Sequence, residues 1–106
     1  GQSVIVQQGI VLGVEAIEGT DALIDRSATL RREGAGGVLV KIAKPQQDNR
    51  YDLPTIGPDT IQAMIRAGLR GVVLEARRSL LLEREKTLQM ADEAEIFVVG
   101  IEQIAA

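Results

Sequence analysis

Short apolar runs alternate with polar breaks along this chain of 106 residues, and the pattern predicts strands alternating with helices. The runs 3–7 and 10–16 are rich in Val and Ile and are joined through Gly9, so they predict an antiparallel hairpin. The remaining strands are predicted at 37–42, 71–75 and 96–100, with either a short strand or the start of a helix at 80–82.

Three helices are predicted between these strands. The first begins near Thr20 or Asp21, because either side-chain oxygen can cap a helix amino terminus. The second begins at Pro58 and ends at Gly68, which suit the first and last positions of a helix. Its buried stripe is predicted to contain Ile61, Met64, Ile65 and Leu69. The third helix is predicted over 83–94. We therefore predict an α/β fold: a mixed, mostly parallel sheet with flanking helices and an opening β-hairpin.

Composition restricts the chemistry. The chain contains no histidine and no cysteine, which excludes histidine bases, histidine-bound metals and disulfides. The net charge is −3 and the aromatic residues are Tyr51 and Phe97, so we expect no nucleic-acid partner. No apolar run approaches the roughly 20 residues of a membrane span. The chain starts at Gly1 without a methionine, so we expect a fragment of a longer protein.

Three polar segments, 7–9, 15–21 and 41–59, follow predicted strands, and ligands bind beyond the carboxyl ends of parallel strands. In the longest segment, Lys41, Lys44 and Arg50 suit phosphate oxygens; the alternative is a solvated strand end.

Acidic residues lie among these cations. Asp48 and Asp52 are four positions apart, with the amide of Gln47 beside them, and such oxygen ligands suit Mg²⁺. The alternative is that both aspartates stabilise turns. Thr55 precedes the second helix, whose amino terminus attracts anions, and ordinary capping there is equally compatible with the sequence.

Two long strings, 6–21 (VQQGIVLGVEAIEGTD) and 41–48 (KIAKPQQD) continuing through 52–58 (DLPTIGP), are distinctive. Together with the closing FVVG at 97–100, they resemble the C-terminal domain of LpxI-type UDP-2,3-diacylglucosamine pyrophosphatases of lipid A biosynthesis. The resemblance covers nearly the whole chain. It implies that residues 1–106 form the catalytic C-terminal domain of a two-domain enzyme, with an N-terminal domain absent from this chain.

The resemblance implies a Mg²⁺-dependent hydrolysis of UDP-2,3-diacylglucosamine to UMP and 2,3-diacylglucosamine 1-phosphate. The substrate is lipid-linked, so we expect a cytoplasmic enzyme peripheral to the inner membrane. We expect the isolated domain to be weakly active or inactive, and its exposed interdomain surface to favour self-association. The alternative function is a non-catalytic module that binds a sugar phosphate or nucleotide, or that acts in assembly.

The resemblance also implies roles for individual residues. Asp52 is the first candidate for an essential acid, as a metal ligand or a group that orients water, and Asp48 is the second. The diphosphate would be neutralised by Lys41, Lys44 and Arg50. The sugar or phosphate side would be lined by Gln8, Glu18, Thr20 and Asp21. We expect the acids and cations after the third predicted strand to converge on one diphosphate at the edge of the sheet; the segment 7–9, which contains Gln8, lies at a hairpin turn, so its place at that edge does not follow in the same way.

Overall fold

The computed structural model describes residues 2–42, 53–76 and 79–102, which form an α/β fold. Its strands are β1 (Gln2–Gln7), β2 (Ile10–Val14), β3 (Val38–Ile42), β4 (Thr55–Ile56), β5 (Gly71–Glu75), β6 (Leu80–Leu81) and β7 (Phe97–Ile101). Its helices are α1 (Thr20–Ala28), α2 (Pro58–Ala67) and α3 (Arg84–Glu93).

The main sheet has five strands in the order β2-β1-β3-β5-β7. Strand β1 is antiparallel to both β2 and β3, whereas β3, β5 and β7 are parallel to one another. The predicted mixed sheet with an opening hairpin is confirmed. Because β1 runs against its neighbours, its first residues lie where β2 and β3 end. Ser3 is therefore paired with Lys41, and the Ser3 carbonyl accepts a 2.8 Å hydrogen bond from the Glu15 amide.

Successive side chains of a strand point to opposite faces of the sheet, and the side chains on one face pack against the helices. Ile5, Leu39 and Val72 are neighbours in the sheet and are fully buried. They belong to one apolar cluster with residues of the helices, including Leu23 and Met64. Helix α2 contacts both α1 and α3, so the described helices form one layer over this face of the sheet.

The helix boundaries confirm some predictions and correct others. Pro58 begins α2, and Gly68 ends it in the left-handed conformation, as predicted. Thr20 is the first residue of α1, and the cap position belongs to Gly19, which has a φ of 92°. Ile65 is 47% exposed, so its predicted place in the buried stripe is wrong. It lies one position beyond the buried Met64, and a helix turns about 100° per residue, which is enough to bring Ile65 to the edge of the buried stripe.

A small second sheet was not predicted. Strand β4 pairs in parallel with β6, so of the two alternatives predicted for 80–82, a short strand or the start of a helix, the structure has the strand at Leu80–Leu81. Hydrogen bonds from Leu80 to the Pro54 carbonyl (2.8 Å) and from Leu82 to the Ile56 carbonyl (2.9 Å) extend this pairing. The pairing fixes the segment before α2 at the edge where β3 ends. Among the described residues, no helix has the length and apolar character needed to cross a bilayer.

Candidate functional site

A pocket of about 290 Å³ opens at the carboxyl ends of β2 and β3. Its wall is formed by the residue after β2, the start of α1, the Lys41 side chain near the end of β3 and the segment that leads into β4. The lining residues are Glu15, Gly19, Thr20, Lys41, Leu53, Pro54 and Thr55. Three of the predicted site residues, Thr20, Lys41 and Thr55, are therefore brought together.

Lys41 is the buried cation of this pocket. Its residue is only 7% exposed, because strand alternation turns the side chain towards the helix layer. The ammonium group donates a 2.9 Å hydrogen bond from Nζ to the Thr55 carbonyl. A buried charge is costly unless polar groups surround it, so the β4 segment holds this cation at the sheet edge.

Three side chains form a directed chain of hydrogen bonds beside Lys41. Thr20 Oγ1 donates to Glu15 Oε1 at 2.6 Å, and Thr20 Oγ1 lies 3.3 Å from Ser3 Oγ. A hydroxyl has one proton to donate, so Thr20 gives its proton to Glu15 and accepts from Ser3. The chain orients the Glu15 carboxylate, which is left with acceptor capacity for a further donor.

Ser3 was not among the predicted site residues, whereas Glu15 belongs to the predicted polar segment 15–21 but was assigned no role of its own. Ser3 is 1% exposed on the helix side of β1, the side on which Ile5 and Gln7 are also buried. A polar residue at a buried strand position is a usable signal. It was missed because the antiparallel direction of β1, which places Ser3 at the site edge, follows from pairing with β3.

The amino terminus of α1 faces the same pocket through Gly19 and Thr20. The cap residue Gly19 has no side chain to satisfy the first amides, and no side-chain cap is formed. Thr20 cannot replace it because its hydroxyl is committed to Glu15. Uncapped amides and the helix dipole favour an anion at this position, next to the Lys41 ammonium.

Other predicted residues lie elsewhere. Glu18 forms an exposed ion pair with Arg26 at 2.9 Å. A hydrogen bond from the Ala16 amide, followed by the Arg26 guanidinium, lowers the pKa of Glu18. Asp21 lines a larger cavity of about 480 Å³, where the exposed side chains of Asp59, Arg66 and Lys86 mix both charges.

Gln8 is at the opposite edge of the sheet. Gln8 lies in the turn between β1 and β2, at the end of β1 that is far from Ser3. Its Nε2 donates a 2.5 Å hydrogen bond to the Glu33 carbonyl. The structure therefore does not bring Gln8 to the pocket. The reason is the antiparallel hairpin, which puts the end of β1 away from the ends of β2 and β3.

The remaining predicted residues, Lys44, Gln47, Asp48, Arg50 and Asp52, lie outside the described residues. The last pocket residue before range 43–52 is Lys41, and the first after it is Leu53. Whether the two aspartates meet the predicted cations stays a prediction.

A buried ammonium, oriented hydroxyls and a helix terminus without a side-chain cap meet at the strand-end edge of this α/β domain, an arrangement whose charge suits an anion. Residues 1–99 match the family described as the LpxI C-terminal domain. The chain belongs to this family. It is 48% identical over 108 residues to the UDP-2,3-diacylglucosamine pyrophosphatase LpxI of Caulobacter vibrioides, a match that covers 96% of this chain and 39% of the relative.

These matches confirm the family resemblance and the assignment to a hydrolase family. The predicted function nevertheless needs correction, because it was stated as a metal-dependent hydrolysis. The relative's name specifies a pyrophosphatase and no metal, and the described residues contain no cluster of three or more acidic side chains that could hold one. Neither match points to the alternative, a non-catalytic module. Mg²⁺ itself stays a prediction that rests on Asp48 and Asp52.

Proposed function

We propose that this chain supplies a phosphate-binding edge to an enzyme that cleaves the pyrophosphate of UDP-2,3-diacylglucosamine. Family membership and the name of the Caulobacter relative support the reaction. The observation that carries the role of the pocket is the Lys41 ammonium, buried and held by the Thr55 carbonyl beside the uncapped start of α1.

The charges of the pocket suit such a substrate. A diphosphate repels nucleophiles, and a fixed ammonium next to helix amides reduces that barrier by stabilising negative charge. The Glu15 carboxylate repels phosphate but accepts hydrogen bonds from hydroxyl groups. We therefore assign Lys41 to a phosphate oxygen and Glu15, oriented by Thr20, to a sugar hydroxyl of the same substrate.

Other parts of the longer protein complete the site in this proposal. The chain spans 39% of the length of the relative that it matches. A pocket of about 290 Å³ is at the lower end of ligand sites and is small for a nucleotide sugar with two acyl chains. We propose that this chain alone turns over little substrate, and that the longer enzyme works in the cytoplasm at the inner-membrane surface, where a lipid-linked substrate resides.

The test replaces the lysine in the longer protein that contains this chain. Lys41→Met keeps an unbranched side chain but removes the charge, and Lys86→Met removes an exposed charge from the larger cavity. UMP release from UDP-2,3-diacylglucosamine is measured for both variants. Loss of a charged group aimed at a developing negative charge costs about 10²–10³ in rate, so we expect at least a 100-fold loss of kcat/KM for Lys41→Met.

The control should stay within about twofold of the parent, because exposed single charges contribute little. Thermal unfolding of both variants separates loss of chemistry from loss of fold. Equal activities in folded Lys41→Met and Lys86→Met proteins would remove the pocket from the reaction.

A further inference from the structure

Ser3 contacts residues of the small pocket without lining the pocket itself. It lies on the helix side of β1 and is 1% exposed. Its carbonyl accepts the 2.8 Å hydrogen bond from the Glu15 amide, and its hydroxyl oxygen lies 3.3 Å from Thr20 Oγ1. The strand register also places it beside Lys41. This one buried serine therefore adjoins three of the polar groups that face the pocket.

A second buried serine provides a comparison. Ser27 of α1 is 2% exposed, and its hydroxyl has no hydrogen-bond partner within the described residues. The Ser3 hydroxyl differs because its neighbour, Thr20, is a side chain of the pocket wall. The next residue of β1 on the same side, Ile5, is fully buried and belongs to the apolar core. Ser3 is therefore the residue through which the buried side of β1 reaches the pocket wall.

Donors and acceptors fix the direction of the hydrogen bonds from Ser3 to Glu15. An ionised carboxylate can only accept, so Thr20 donates its proton to Glu15 Oε1 at 2.6 Å, and Ser3 donates to Thr20. A threonine has more than one χ1 rotamer available, and the contact with Ser3 favours the rotamer that aims the hydroxyl at Glu15. The Ser3 carbonyl also holds the Glu15 main chain. Ser3 thus positions both partners of the hydrogen bond between Thr20 and Glu15.

The Glu15 carboxylate keeps acceptor capacity for a ligand, because a carboxylate can accept several hydrogen bonds and Thr20 supplies one of them. In the substrate of the proposed function, acyl groups occupy positions 2 and 3 of the glucosamine, and the diphosphate occupies position 1. The 4- and 6-hydroxyls are left as the donors of the sugar ring. With Lys41 and the start of α1 facing phosphate oxygens, Glu15 is the acceptor that one of these hydroxyls can reach.

We propose that Ser3 is a positioning residue that acts through Thr20 to hold the Glu15 carboxylate for the 4- or 6-hydroxyl of the sugar. The pocket thereby distinguishes a sugar nucleotide from the nucleotide alone. This inference rests on the proposed function and deepens it, since it assigns specificity to a residue that does not line the pocket. Its signature is a contribution to binding that depends on the sugar, whereas a serine needed only for folding would affect ligands with and without the sugar alike.

The experiment measures binding by isothermal titration calorimetry in the longer protein that contains this chain. The probes are UDP and UDP-N-acetylglucosamine, and the second probe adds a sugar whose 4- and 6-hydroxyls are free. Ser3→Ala removes the hydroxyl. Ser27→Ala is the matched control, because it removes a serine hydroxyl that is similarly buried but has no described partner. Ser3→Ala is also made in a Thr20→Val background, and circular dichroism checks that each variant folds.

Ser3→Ala should weaken the binding of UDP-N-acetylglucosamine by about three- to tenfold, the effect of one hydrogen bond, and should leave the UDP affinity within about twofold. Ser27→Ala should leave both affinities unchanged. In the Thr20→Val background, Ser3→Ala should add no further loss, because the hydrogen bonds through Thr20 are already absent.

Three results would overturn the inference: equal losses for the two ligands in Ser3→Ala, no loss for either ligand, or the full loss in the Thr20→Val background. A parent protein that does not bind UDP-N-acetylglucosamine would overturn it as well. The proposed function is tested separately by Lys41→Met in the same titrations. Unchanged UDP binding in that variant would contradict the phosphate role of Lys41, whereas a wrong assignment of Ser3 would leave the effect of Lys41→Met in place.

Discussion

The two faces of the sheet differ in an unexpected way. The face covered by helices holds the polar residues Ser3 and Lys41 at its edge, whereas the opposite face, on which no described helix packs, holds valines such as Val40 and Val73. The covered face is otherwise the apolar core, with Ile5, Leu39 and Val72 fully buried, so its polar residues at the strand ends are an exception to the usual pattern. The comparison singles out the polar edge, where buried polar groups line a pocket, as the part of the covered face that differs from an ordinary apolar core.

The largest contrast is expected between neighbours on opposite faces. Leu39→Ala removes a fully buried side chain and should lower the free energy of unfolding by about 2–5 kcal/mol. Val40→Ala removes a partly exposed one and should cost less than about 1.5 kcal/mol. Urea denaturation of both variants measures the difference. Equal losses would mean that the face opposite the helices is covered within one chain.

The hydroxyl chain at the polar edge gives the next effect. Thr20→Val keeps the shape of the side chain but leaves Glu15 and Ser3 without their shared partner, and it should cost about 1–2 kcal/mol of stability. The control is Thr29→Val at the exposed end of α1, where the hydroxyl bonds only the Arg26 carbonyl. If both variants unfold at the same urea concentration, the hydrogen bonds from Ser3 through Thr20 to Glu15 do not contribute to stability and do not hold the Glu15 carboxylate in place.

Much of this fold could be predicted from local pattern. Pro58 and Gly68 mark α2 correctly because each residue suits a helix end for conformational reasons. Strands β4 and β6 have two residues each, so they have no period to detect and exist through their mutual pairing. The site was harder for the same reason. Gln8 lies away from the pocket, as the predicted antiparallel hairpin already requires, whereas the place of Ser3 beside Lys41 depends on the tertiary pairing of β1 with β3.

A smaller effect with the opposite sign is expected at Ser27 on the covered face. Its Oγ is buried and has no hydrogen-bond partner within the described part of the chain. An unsatisfied buried hydroxyl is destabilising, so Ser27→Ala should raise the free energy of unfolding by up to about 1 kcal/mol. Ser79→Ala, which removes a hydroxyl bonded to the Glu75 carbonyl, is the control and should lower it. Destabilisation by Ser27→Ala would show that the hydroxyl has a partner.

The smallest effect concerns pH at the exposed rim of the polar edge. The pKa of Glu18 is lower in the folded state than its ordinary value. The ionised carboxylate therefore contributes fully to the free energy of unfolding above the ordinary carboxyl pKa, and this contribution is lost as pH falls through the lowered value. Glu18→Gln should therefore flatten slightly the loss of stability on acidification. Urea midpoints at pH 7 and at successive acidic steps measure this. A variant with the same slope as the parent would show that the Arg26 pair is immaterial.

The central claim is that anions bind at the polar edge, and an NMR titration of this chain with UDP tests it most directly. The account predicts that the amide resonances of Gly19, Thr20 and Thr55 shift with added UDP, and that Lys41→Met abolishes these shifts. Amides at the opposite edge, such as those of Gln8 and Glu33, should stay in place. Shifts confined to that opposite edge, or unchanged shifts in Lys41→Met, would contradict it.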